Sequence, residues 1–130
     1  TSRYGGMWVA ATRACASAQL GDAAALSEAL AFLLTYEQEN QAARLRGLLC
    51  AGELDLAANL QLRRLSDPRT RLNALEALQI YQASMSVAPQ RAILLDRLRR
   101  VRDREDVRRG VREVGRIEAI PLPAEGFGEI

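Results

Sequence analysis

The sequence predicts an all-α protein of about seven short helices. Three observations carry this. Apolar residues recur at helical spacing almost throughout, and no segment alternates with period two before residue 117. The apolar fraction is 48% and aromatics are only 5%, so the apolar content is mostly Ala and Leu, which lose little freedom in a helix. Short polar, Gly-containing or Pro-containing turns separate segments of similar length, the pattern of stacked antiparallel helix pairs. An irregular helical bundle is the alternative. At 130 residues the chain is long enough to bury roughly two-thirds of its surface on folding. It is read as one helical domain over 1–116 followed by an extended tail, 117–130.

The first helix is expected from about Gly6 to Gln19. "LGD" ends it and places Asp22 to cap the second, about 23–36, whose Leu26, Leu30, Leu33 and Leu34 share a face. "EQEN" is a polar turn. The third helix covers about 40–50, with Ala43, Leu45, Leu48 and Leu49 apolar, and "AGE" breaks it. The fourth covers about 53–65, with Leu54, Leu56, Leu60 and Leu65. At "SDP" the chain stops again. Ser66 or Asp67 can accept the free amides of the next helix, and Pro68 presets its first turn. The fifth helix is expected over about 69–84, with Leu72, Leu75, Leu78 and Ile80 apolar. After "SMSVAP" comes the sixth, about 89–101. The apolar phase then slips, which predicts a break near Asp103, with Asp103 and Asp106 as a capping pair. The seventh covers about 104–115. Pro121 and Pro123 exclude a helical tail.

Internal repetition follows from aligned helix starts. Thr70-Arg71 leads into Ala74, Ala77 and Leu78. Val107-Arg108 leads into Val111 and Val114. Ala43-Arg44 leads into Gly47 and Cys50. An acid precedes each, namely Asp67, Asp103 and Glu39. The stretch "LSDPRTRLNALEAL" resembles the second half of a HEAT-type helical repeat, and "AGELDLAANLQL" resembles part of a tetratricopeptide-like repeat, the second choice. Both families are α-solenoids. The resemblance implies that Asp67, Asp103, Arg71 and Arg108 form a structural ladder between units.

Several chemistries lack their residues. The chain has no His, which removes imidazole bases and ligands. All 18 basic residues are Arg, a bias expected of a GC-rich, bacterial coding sequence. The two cysteines, Cys15 and Cys50, lie in apolar stretches and are expected as buried free thiols in a reducing compartment. The longest apolar run, "ALAFLL" at 29–34, is far short of a membrane span. No signal-peptide pattern opens the sequence given. A cytoplasmic protein away from membranes is expected. Glu37 and Glu39, and Asp103, Glu105 and Asp106, are acid clusters at helix starts, where caps and dipole partners are the ordinary roles. No catalytic residues, cofactor or metal ligands are assigned.

The net charge is only +2, but residues 91–116 hold ten Arg against five acids. Arg104, Arg108 and Arg112 recur every four residues and are candidate partner-binding residues, either for an acidic protein or for nucleic acid. The opposing expectation is a solvated face laced by Asp96–Arg100, Glu105–Arg109 and Arg109–Glu113 pairs. The tail carries Ile117, Ile120, Leu122, Phe127 and Ile130, and Leu122 and Phe127 are further candidates for partner contact. Such a tail is expected to dock on its own last helices, covering Val107, Val111 and Val114, or on a second chain through self-association, or else to fray. The resulting expectation is a non-enzymatic adaptor or scaffold domain for a protein partner. A nucleic-acid-binding module using the Arg-rich last helices is the alternative. The step from stacked helices to recognition is one of fold analogy.

Overall fold

The computed structural model describes residues 2–82 and 87–122. Among them are seven α-helices, one short 3-10 helix and two two-residue strands. The all-α expectation holds. Within the span read above as one domain, the chain divides into two compact units, Thr1–Glu53 and Leu54–Ile130. Each is described by itself.

The first unit contains α1 (Arg3–Leu20), α2 (Ala23–Thr35), a 3-10 turn (Glu37–Glu39) and α3 (Gln41–Ala51). Each helix packs on the other two. Local chemistry fixes the boundaries. Ser2 caps α1 by accepting from the Gly5 amide at 3.0 Å. Asp22 caps α2 as expected, accepting from the Ala25 amide at 3.0 Å. Gly21 and Gly52 end α1 and α3 at φ of +70° and +74°, a left-handed conformation that costs glycine nothing. Asn40, within what the sequence presents as a polar turn, is a buried cap. Its side chain accepts from the Ala43 amide at 3.0 Å and donates to the Tyr4 carbonyl at 3.3 Å.

Small residues let α1 and α3 approach closely. Ala10, Ala11 and Ala14 of α1 and Ala43 and Gly47 of α3 are buried. A Cβ on Gly47 would lie 2.5 Å from Leu33 Cδ1 and 3.9 Å from Ala14 Cβ. The neighbouring cysteines are thereby brought to a Cα–Cα distance of 4.9 Å and form a Cys15–Cys50 disulfide, within the span such a bond requires. This corrects the expectation of free thiols. The two lie 35 residues apart in sequence, and helical periodicity says nothing about which helices pack together. The expected reducing, cytoplasmic surroundings rested on those thiols and lose that support.

The second unit contains α4 (Leu54–Ser66), α5 (Arg71–Leu78), β1 (Ile80–Tyr81), α6 (Pro89–Arg102), α7 (Glu105–Val114) and β2 (Ala119–Ile120). Helix α4 packs on α5, α6 and α7. The α4–α7 approach is close at Gly110, where a Cβ would meet Leu62 Cδ2 at 2.7 Å. Val107 and Val111, on the same side of α7, are buried. Of the tail, for which docking over these valines, docking on a second chain and fraying are the alternatives, the described part at 119–120 pairs edge to edge with the chain after α5, and residues 123–130 lie outside the described residues. Ile80 lies opposite Ala119 and Tyr81 opposite Ile120, in parallel.

Helix α5 is shorter than the expected 69–84. At its start, Asp67 accepts from the Arg69 amide at 3.0 Å, and the Asp67 carbonyl accepts from the Thr70 and Arg71 amides at 3.1 and 2.9 Å. This Asx turn delays the helix beyond Pro68. At its end, the Gln79 side chain donates to the Leu75 and Arg116 carbonyls at 2.9 and 3.0 Å and accepts from the Glu118 amide at 2.7 Å. That bracket joins the tail to the strand, and β-branched Ile80 and aromatic Tyr81 suit extended backbone. Another correction concerns Asp103 and Asp106. Asp103 closes α6 and Arg104 occupies the cap position of α7 without a side-chain cap bond, while Asp106 in the first turn accepts from the Val107 amide at 2.8 Å.

Leu78 is fully buried. Leu78→Ala is expected to cost about 2 to 5 kcal/mol, the usual range for such a truncation, read by urea unfolding. A loss below about 0.5 kcal/mol would place that side chain in solvent.

Candidate partner-recognition surface

Two surfaces compete, one in each unit. The sequence points to the Arg face of the second unit. Arg104 lies partly buried, donating to Asp106 at 3.1 Å and also to Asp55. These carboxylates hold its guanidinium above the ordinary arginine range, with Asp106 the larger influence and Asp55 the smaller. Arg112 pairs with Glu105 at 3.1 Å. Arg108 is exposed and makes no ion pair among the described residues. Arg108 and Arg112 therefore lie on α7 and Arg104 at its cap, and the three do not form a free face. The expected Asp96–Arg100 pair is present at 2.9 Å. Glu105–Arg109 and Arg109–Glu113 are not among the ion pairs of the described residues, and Glu105 pairs with Arg112 instead. Carboxylates also engage Arg99, Arg102 and Arg116.

The acidic ladder takes a different form. Asp67 pairs with Arg69 at 3.0 Å, and Asp103 with Arg99 and Arg102. Arg71 donates to the Leu65 carbonyl at 2.8 Å and Thr70 to the Arg64 carbonyl at 2.9 Å. These bonds satisfy carbonyls left open at the end of α4. Arg71 is structural, but through backbone rather than through Asp67. Leu122 is exposed, and its carbonyl accepts from the Gln82 amide at 3.1 Å. Phe127 lies outside the described residues.

The hydrogen bond from Arg104 is the main influence holding the Asp106 carboxyl below its ordinary value. A carboxylate with a depressed folded pKa stabilises the fold above its unfolded pKa, about 3.9. That contribution is lost as pH falls through the folded value. Asp106→Asn is therefore expected to flatten the acid limb of the stability–pH curve below about pH 4 and to leave its shape above pH 5 unchanged. Parallel acid limbs would show that the pair contributes no linkage.

The first unit presents a different surface. Met7, Ala10, Ala11, Ala14 and Ser17 of α1 face inward. On the outer side Tyr4, Val9 and Leu20 are 55%, 60% and 83% exposed. Trp8 bridges the two sides. It packs against the cluster of Met7, Ala10, Ala11, Leu33 and Ala43 and stands edge-on to Tyr4, with centroids 6.5 Å apart. Trp8, Val9, Thr12, Arg13 and Ala16 form an open, mainly apolar shallow surface along the outer side of α1. The Thr12 hydroxyl is engaged with the Trp8 carbonyl at 3.1 Å. Arg13 brings the single charge to this surface and makes no ion pair among the described residues. Helix α1 contains no acid, so nothing on it neutralises Arg13.

The sequence reading missed this face. The outer apolar residues of α1 share the helix with an inner apolar side made almost wholly of alanine, so periodicity alone does not tell the two apart. The signal was present in side-chain size, since Tyr4, Trp8, Val9 and Leu20 are too large for the small-residue contact. The acid cluster at 37–39 also divides differently from its expected capping role. Glu39 pairs with Arg3 at 2.9 Å near the surface, whereas Glu37 is buried and pairs with Arg44 at 3.4 Å. No group of three His, Cys, Asp or Glu able to hold a metal occurs among the described residues, and no described helix is long and apolar enough to cross a membrane. Comparison with family models, with curated proteins and with solved structures finds no match to this chain.

Proposed function

We propose that the chain is a non-enzymatic protein-recognition module that docks an amphipathic segment of a partner along α1. The open, mainly apolar surface of Trp8, Val9, Thr12, Arg13 and Ala16 carries this reading. Exposed large apolar groups beside a half-buried aromatic are the ordinary make-up of a recognition face. Arg13 fixes the partner's chemistry. A segment with apolar side chains for this surface and one carboxylate for Arg13 complements it, and charge complementarity sets register and partner choice. The resemblance to helical repeats supports the same class of function by analogy. The nucleic-acid reading has less support, because carboxylates occupy much of the Arg face. For location, the disulfide favours an oxidising compartment over the cytoplasm.

Trp8 is the only tryptophan, so its emission reports directly on this surface. Titration with amphipathic helical peptides carrying one Glu should give a saturable blue shift. Arg13→Glu should weaken that binding about tenfold, about 1.4 kcal/mol, and transfer the preference to peptides carrying one Lys. Equal affinities for Arg13 and Arg13→Glu proteins, or no saturable shift with any peptide, would overturn the reading. Binding to duplex DNA at low salt that is lost in the Arg108→Gln/Arg109→Gln protein would favour the alternative.

A further inference from the structure

We propose that the Cys15–Cys50 disulfide is a redox-controlled lock on the α1 face, closed in oxidising surroundings and opened by thiols. This rests on the recognition reading for its consequence, but not for its mechanism.

The mechanism begins with how the second half of α1 is held. Of its 18 residues, the buried ones are Met7, Ala10, Ala11, Ala14 and Ser17. Met7 is the only large apolar side chain among them. Alanine buries little area, and the hydrophobic contribution scales with area. The small-residue contact that brings the second half of α1 close to α3 therefore gives a thin apolar grip there, whereas the first half packs Met7 and Trp8 beside Leu30, Leu33 and Tyr36. At the start of the helix the polar ties are few. Asn40 donates to the Tyr4 carbonyl, and Arg3 pairs with Glu39 and lies 4.2 Å from the Tyr36 ring centroid. The covalent bond lies at the other end, joining the second half of α1 to the last turn of α3.

Access is the second requirement. Cys15 and Cys50 are both only partly buried, so the bond lies near the surface from which a thiolate would approach. Opening consumes two external thiols. One attacks as thiolate on one cysteine sulfur, the S–S bond breaks, and the departing cysteine sulfur takes up a proton. The second external thiol attacks the resulting mixed disulfide and releases the other cysteine. The external pair leaves oxidised as a disulfide, and the chain gains two electrons and two protons. Closing is the reverse, with a small-molecule or protein disulfide as oxidant.

Position supplies the consequence. Cys15 lies between Arg13 and Ala16, both of which belong to the recognition surface. Opening the bond frees the part of α1 that carries them, and with it the side of the surface next to Trp8. The complete surface would then exist only in the oxidised protein.

Hydrogen exchange of the whole chain tests this without a partner, so its failure is distinct from failure of the recognition reading. The protein is equilibrated in glutathione buffers of graded poise, and exchange of the 10–18 amides is followed by mass spectrometry alongside Trp8 emission. The lock predicts exchange roughly tenfold faster or more on opening, with a red shift in Trp8 and no change in α5–α7. The Cys15→Ser/Cys50→Ser protein should match the reduced protein at every poise. Two results would overturn the proposal. One is a bond that no glutathione poise opens, which would make it a permanent staple. The other is a reduced or doubly substituted protein whose α1 exchanges as slowly as in the oxidised one.

Discussion

Glu37→Ala is expected to destabilise the protein by about 3 to 5 kcal/mol, the range for removing one partner of a buried ion pair. Glu37 and Arg44 are only 5% and 6% exposed. The Arg44 guanidinium reaches the Glu37 carboxylate at 3.4 Å and donates to the Leu30 carbonyl at 3.5 Å. Removing the carboxylate leaves a guanidinium charge in a site too dry to solvate it, and arginine cannot escape by losing its proton. The cost therefore arises from the charge left behind more than from the attraction lost. A companion variant separates the two. Glu37→Leu combined with Arg44→Met removes both charges and should recover most of the loss. Urea unfolding of the three proteins measures this, and a Glu37→Ala loss below about 1 kcal/mol would mean that water reaches Arg44 freely.

The disulfide carries the second large effect. Closing a loop with ends 35 residues apart restricts the unfolded chain, and the loop-entropy relation gives about 4 kcal/mol. A unit of this size has a small core and gains proportionally more from such a link. Cys15→Ser/Cys50→Ser should lower stability by about 2 to 5 kcal/mol, and reduction of the native protein should lower it similarly. A change below about 1 kcal/mol in both would show that the reduced chain already brings α1 and α3 together.

Much of the local structure is legible in the sequence. Asp22, the glycines at 21 and 52 and the Pro89 start act through their nearest neighbours, so their caps and breaks can be read from a few residues. The same holds for the all-α class, because Ala and Leu at helical spacing leave no stretch with a competing period before residue 117. Several of the misreadings share a different cause, since they depend on a partner outside the local helix start or end. Gln79 ends α5 early by binding Arg116 and Glu118, and nothing near Gln79 announces them. Glu37 looks like a cap until Arg44 is placed beside it. Arg104 looks like one rung of a basic face until Asp55, from the start of α4, reaches it. Cys15 and Cys50 look like inert core thiols until Ala14 and Gly47 let their helices meet. The outer surface of α1 was hidden for a related reason. Its inner and outer sides are both apolar, and only the difference between alanine and tryptophan distinguishes contact from display.

The redox lock and the oxidising location both depend on whether α1 is bonded to α3. Peptide mapping of protein purified without reductant tests it directly. Trypsin separates Cys15 and Cys50 into peptides 14–44 and 47–63. The account predicts that these two peptides appear as one disulfide-linked species from monomeric protein, with neither cysteine alkylated before reduction. Two separate peptides, each fully alkylated on its cysteine under native conditions, would contradict it and restore the free thiols that the sequence alone leads one to expect.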